Sequence, residues 1–261
     1  MAQGSLRSFR RYEKKLLIDA AIVASLQEDL SVYMSPDEYN AGGEPYVVCN
    51  LYFDNARDDV IRESVAKPRY KEKLRLRSYG VPNDDTKVFL EIKRKVDGVG
   101  VKRRAKLKLS QIDEYLATGK HPESLSYMDE QVLREVDYYL SHTPVAPRVY
   151  VSYLRHAYFA KDDPSFRVTF DSGILTRRYD LDLRKGRYGE PLLPEGKILL
   201  EVKFSGAVPL WFARLFGKYH LSFGTYSKVG NDFKKEIARR VQNAARQEPL
   251  ETFEQRKEGS L

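Results

Sequence analysis

In the stretch RYKEKLRLR, Arg69, Lys71, Lys73, Arg75 and Arg77 occupy every second position. Alternate side chains of an extended chain share a face, so these cations line one side while Tyr70, Glu72, Leu74 and Leu76 take the other. The same division recurs downstream. Glu91, Lys93 and Lys95 oppose Val88, Leu90 and Ile92; Lys102, Arg104, Lys106 and Lys108 oppose Val101, Ala105, Leu107 and Leu109; Glu201, Lys203 and Ser205 oppose Leu200, Val202 and Phe204. Like charges facing each other on neighbouring strands destabilise a sheet, so such an accumulation points to an anion that offsets it. Arginine offers planar donors to phosphate oxygens, lysine a point charge, and a carboxylate among them suits a hard cation that bridges phosphates. The competing reading is the solvated side of a half-exposed sheet.

Other chemistries find less support. Cys49 stands alone in the apolar run YVVCNLYFD and reads as a buried thiol. His121, His142, His156 and His220 lack zinc-ligand spacing, and no glycine-rich phosphate loop or dinucleotide fingerprint occurs. Gly98 and Gly100 in DGVG read as hairpin residues. Tyr46, Tyr52 and Phe53 read as core rather than as a stacking platform.

The elements that must position these residues follow from periodicity and turn signals. Strands are expected at Phe9–Ile18, Tyr46–Asp54, Arg69–Tyr79, Lys87–Lys95, Val99–Leu109, Val149–Ala160, Phe166–Thr176 and Lys197–Ser205. Helices are expected after Asp19, around Ser110–Thr118 and Asp129–Ser141, at Pro209–Phe216, and at Val229–Arg246 with Phe233, Ile237 and Val241 as its apolar stripe. No repeat or linker divides the chain, so one domain is expected over 1–246, followed by a polar tail, 247–261.

The 261 residues carry a net charge of +8, which favours an anionic partner. MAQGSLRSFRRYEKK lacks an apolar signal stretch, and no run approaches the roughly 20 apolar residues that span a bilayer. A cytoplasmic protein with no direct membrane insertion is expected.

Taken in order, RYEKKLLI, LYFD, KLRLRSYG, FLEIKRK, GVKRR, SYLRHAYF, FRVTFD, LLEVKF and TYSKVGNDF resemble the VTC-type polyphosphate polymerase domains of the triphosphate tunnel metalloenzyme (CYTH-like) superfamily, over roughly Arg7 to Phe233. The resemblance implies an α+β fold, in which about eight antiparallel strands close into a barrel-shaped tunnel with flanking helices. It implies phosphate and nucleotide contacts from Lys15, Arg75, Arg77, Lys93, Lys102, Arg104, Arg155, Arg167, Lys203, Ser227 and Lys228. The implied catalytic set is Arg75, Arg77, Lys93, Arg155 and Glu201. Glu201 is the best match for the holder of Mn²⁺ or Mg²⁺, with Glu91 and Glu13 as further candidates. The implied reaction transfers the γ-phosphoryl group of ATP to a growing polyphosphate chain. A triphosphatase and a non-catalytic polyphosphate- or inositol-phosphate-binding module are the alternatives. The expected partners are ATP and inorganic polyphosphate or triphosphate, with no nucleic acid; any membrane link would come through a membrane-protein partner.

Overall fold

Alternation of ionic and apolar residues becomes the two faces of one antiparallel sheet. The computed structural model describes residues 11–247, apart from 41 and 98. In chain order the elements are β1 (Arg11–Asp19), α1 (Val23–Ser31), β2 (Met34–Pro36), β3 (Tyr46–Asp54), α2 (Asp59–Val65), β4 (Tyr70–Tyr79), β5 (Lys87–Val96), β6 (Val99–Lys108), α3 (Leu109–Thr118), α4 (Tyr127–His142), β7 (Ala146–Ala160), β8 (Arg167–Arg177), β9 (Glu190–Pro191), β10 (Lys197–Ser205), α5 (Leu210–Lys218) and α6 (Lys228–Gln247). The main path of the sheet runs β1-β10-β8-β7-β3-β4-β5-β6, with β2 added to β7 and β9 to β8. Residues 9–10 of the expected first strand and 248–261 of the expected tail lie outside the described residues.

The apolar face of the sheet builds two cores. Leu74, Leu76, Leu90, Ile92 and Ala105 pack under Ile112 and Tyr115 of α3 and Val132, Leu133 and Val136 of α4. Leu16, Ile18, Val168, Phe170, Leu200 and Val202 pack under Leu26 and Leu30 of α1 and Phe212 and Leu215 of α5. Each such valine, leucine, isoleucine or phenylalanine contributes about 1.5–3 kcal/mol by leaving water. Local signals set the helix ends: Ser126 caps α4 by accepting from the Asp129 N–H at 3.1 Å, and Gly119 ends α3 at φ 73. The β5–β6 hairpin turns between Val96 and Val99, with Asp97 at φ 46.

Two expectations need correction. The sheet does not close into a barrel by hydrogen bonds: its main path ends at β1 and β6, which do not pair. The edge of β1 that would receive a further strand is taken by the segment leading into α6, where Lys15 bridges Gly224 and the Gly224 N–H donates to the Lys15 carbonyl at 2.9 Å. Side chains cross the seam instead, since Lys93 of β5 reaches Glu13 of β1 at 3.7 Å. The apolar stripe expected along α6 is buried only at its start. Val229 and Phe233 are buried, but Ile237 and Val241 are exposed, while Arg240 between them still reaches Asp58 beside α2 at 2.9 Å.

Candidate functional site

Strand register carries the predicted cations onto one continuous face. Glu13 lies opposite Lys203, and Lys15 opposite Glu201, across β1 and β10. The face continues through Thr169 and Arg167 on β8, then from Asp171 to Arg155 on β7 and on to Tyr46 of β3. From β3, Asn50 faces Arg77 and Tyr52 faces Arg75. Arg75 faces Glu91, Lys73 faces Lys93, and these face Arg104 and Lys102 on β6. The Lys93–Glu13 ion pair across the seam makes this the inner side of a curled sheet. Of the site residues expected from sequence, only Ser227 lies off this wall and off α6 proper: its hydroxyl accepts from the Gly230 N–H at 3.1 Å and so caps α6.

Four carboxylates organise the cations. Glu201 takes Lys203 at 2.5 Å and Lys15 at 3.3 Å, and Lys15 also meets Glu13 at 2.6 Å. Glu91, 1% exposed, accepts from Arg75 Nε at 2.9 Å and Lys102 Nζ at 3.1 Å. Asp171, wholly buried, takes both Arg155 and Lys228. Burial opposes ionisation of all of these acids, yet the cations prevail. Arg75, Arg77 and Lys102 hold Glu91 at about 2; Lys15, Lys93 and Lys203 hold Glu13 at about 2 against burial and Glu201; Lys203, Lys15 and Arg155 hold Glu201 well below the carboxylate range.

Several residues of the wall are not legible from local sequence. Asp171 sits in FRVTFD, where a single acid at the end of an alternating run carries no distinguishing signal. Tyr52 and Tyr46 were expected in the core but face the ionic side: the Tyr52 hydroxyl accepts from Arg75 Nη1 at 3.0 Å, and that of Tyr46 from Arg167 Nη2 at 3.3 Å. Asn50 orients Arg77 by accepting from its Nε at 2.8 Å. Alternation had placed Lys73 on the ionic face without assigning it a role. It makes no ion pair among the described residues, and burial, with Lys71 and Lys93 nearby, pulls its pKa down to about 8. The neighbouring arginines overcome burial at Tyr52 and lower its pKa to about 8 as well.

The two ends of the wall differ. At one, Tyr39, Tyr46, Tyr79, Phe89, Arg104 and Arg167 contribute to a cavity of about 560 Å³. At the other, Val149, Val151 and Leu199 of the inner face cluster with Ile61 of α2 and Val229 and Phe233 of α6.

Glu13 and Glu201, joined through Lys15, are hard oxygen donors facing the same space, and the buried Thr169 hydroxyl opposite Glu201 has no partner among the described residues. No group of three or more His, Cys, Asp or Glu side chains among those residues could enclose a metal alone. The arrangement fits a cation such as Mg²⁺ that takes one or two carboxylates and completes its shell with phosphate oxygens and water. Glu91, already gripped by Arg75 and Lys102, has less oxygen to spare.

A curled antiparallel sheet with flanking helices and an inner wall of cations organised by carboxylates defines an α+β protein. The chain belongs to the VTC domain family, whose description matches residues 10–235. No curated protein matches it. Similar solved structures include a candidate adenylate cyclase from Bacillus halodurans, 13% identical over 84% of this chain and 95% of that one, TM-score 0.46. A candidate adenylyl cyclase from Hippeastrum, described as having a dominant triphosphatase activity, is 18% identical over 83% and 92%, TM-score 0.44. The PH1819 protein of Pyrococcus horikoshii is 11% identical over 86% and 99%, TM-score 0.40. Likenesses this distant bear on neither activity nor substrate. No described helix is long and apolar enough to cross a membrane.

Proposed function

We propose that this chain is a metal-dependent phosphotransferase that grips the triphosphate of ATP along its inner wall and passes the γ-phosphoryl group to inorganic polyphosphate. The observation that supports this reading is the unbroken register of cations from Lys15 through Arg155, Arg77 and Arg75 to Lys102, with their carboxylates buried on the same face. Phosphoryl transfer asks for positioning and charge neutralisation rather than a covalent nucleophile. Arg75 and Arg77, oriented by Glu91 and Asn50, supply fixed donors to phosphate oxygens; Lys15, Lys93, Lys102 and Lys203 offset charge along the chain, with Arg104, Arg167 and Lys228 contributing at its ends. Glu201 and Glu13 would hold Mn²⁺ or Mg²⁺, which when bound would draw electron density from the phosphoryl oxygens.

A second reading is hydrolysis of the terminal phosphate, and one observation favours it. Apolar side chains from α2 and α6 fill one end of the inner face, so a growing chain would have to leave by the open end. Incubation with ATP and Mn²⁺, with and without a short polyphosphate primer, separates the two. Long-chain polyphosphate supports the transferase, free phosphate without chain growth supports the triphosphatase, and tight binding with neither product leaves a binding module.

A further inference from the structure

The open end of the inner wall changes character. Moving outward along β4, Arg75 and Arg77 give way to Tyr79; along β5, Lys93 and Glu91 give way to Phe89. Tyr39 and Tyr79 lie nearly parallel there, 8° apart with centroids at 5.7 Å, and Tyr46 and Phe89 pack against Tyr79. Arg104 stacks over Phe89 at 4.6 Å. A cavity of about 560 Å³ lies among these rings.

Tyr39 is 58% exposed, yet its backbone is fixed. The next residue, Asn40, is buried; its side chain donates to the carbonyls of Glu44 and Arg155 and accepts from the Ala157 N–H at 2.9 Å. The Asp37 N–H donates to the Ala157 carbonyl at 2.8 Å. The exposed ring is therefore held over the cavity by a loop pinned to β7.

We propose that this aromatic mouth is a nucleobase platform, so that a nucleoside triphosphate lies with its base on Tyr39 and Tyr79 and its phosphates directed inward to Arg77 and Arg75. The inference rests on the triphosphate reading of the inner wall and adds to it the group at the other end of the ligand. Inorganic polyphosphate has no planar face, and exposed rings beside a phosphate-binding wall give it nothing. A ligand that joins phosphates to a π-system uses both, and stacking tolerates any base because each has a π-face. Arg104, itself stacked on Phe89, adds a planar cation to the same rim.

Calorimetry with Mg²⁺ and two probes, adenylyl imidodiphosphate and inorganic tripolyphosphate, tests the proposal. Stacking on one ring is worth about tenfold in affinity. Tyr39→Ala should weaken the nucleotide about tenfold and leave tripolyphosphate unchanged within about twofold, while Tyr39→Trp keeps the wild-type preference. Nucleotide affinity untouched by Tyr39→Ala, or equal losses for both probes, overturns the platform and leaves the triphosphate reading standing. Wild-type protein that binds neither probe overturns both.

Discussion

Arg155 and Asp171 meet through two parallel contacts, Nε to Oδ1 at 2.6 Å and Nη2 to Oδ2 at 2.8 Å, from positions that face each other across β7 and β8. The Lys228 ammonium reaches the same carboxylate at 2.5 Å from the first turn of α6. One buried acid thus ties two adjoining strands of the wall to the helix that fills its closed end. Removing it leaves two buried cations without their counter-charge, a loss of about 3–5 kcal/mol. Asp171→Asn is expected to lower the stability of folding by that amount in urea unfolding. A change below about 0.5 kcal/mol, the range of ordinary surface substitutions, would show that water compensates both cations.

Glu201 and Glu91 have different surroundings and should fail differently. Glu201 has lysines as partners and Glu13 near it; Glu91 orients Arg75. Glu201→Gln is expected to lower Mn²⁺-dependent phosphoryl transfer by about 100-fold, the scale of one electrostatic contact in a transition state. Excess Mn²⁺ should recover part of that loss, and none of the loss in Glu91→Gln. The measurement is turnover against Mn²⁺ concentration in both variants. Parallel responses would remove the distinction between metal holder and arginine positioner.

Much of this arrangement was legible in the sequence because strand alternation has a fixed period. β3 and β10 match their expected bounds, Tyr46–Asp54 and Lys197–Ser205, since each apolar run is bordered by proline and glycine nearby. The cations of β4, β5 and β6 fall on one face as alternation requires. Alternation fixes faces, however, and does not say which strand edges meet. Gly224 on the edge of β1 is a pairing between residues far apart in sequence, and no local pattern announces it. The same limit hid Asp171, whose role depends on Arg155 and Lys228. It also hides that Ile237 and Val241, which keep helical spacing, are exposed among the described residues.

Acid should unfold the protein through the carboxylates of the wall. Burial would raise the pKa of Glu91, but Arg75, Arg77 and Lys102 lower it from 4.5 to about 2. A depressed carboxylate contributes stability that is fully present above its unfolded value and lost as pH falls through the folded one. For Glu91 that window runs from about 4.5 down to about 2, and Glu13 shares it. Urea unfolding at pH 7, 4 and 3 should show stability falling across this window. Glu91→Gln should be less stable than the wild type at pH 7 and lose less on acidification. Identical acid slopes in the two proteins would remove Glu91 from the account.

Lys73 and Tyr52 make the opposite prediction at alkaline pH. Burial lowers Lys73 from 10.5 to about 8, with Lys71 and Lys93 adding repulsion, while Arg75 and Arg77 outweigh burial at Tyr52 and lower it from 10.0 to about 8. As pH rises through 8, Lys73 loses a positive charge and Tyr52 gains a negative one, so both changes make the wall less attractive to phosphate. The groups interact, and their protons leave as those of a pair. Tripolyphosphate titrates in this range too, but its own protons cancel when wild type and Lys73→Met are compared at each pH. Wild type should bind tripolyphosphate more tightly below pH 8, by about tenfold for one close charge, and the advantage should shrink as pH rises to 10. Tyr52→Phe should make the fall in affinity above pH 8 shallower, since a phenyl ring cannot acquire charge. An advantage over Lys73→Met that stays constant to pH 10 would mean that Lys73 keeps its proton, and that burial penalises its ammonium less than its surroundings imply.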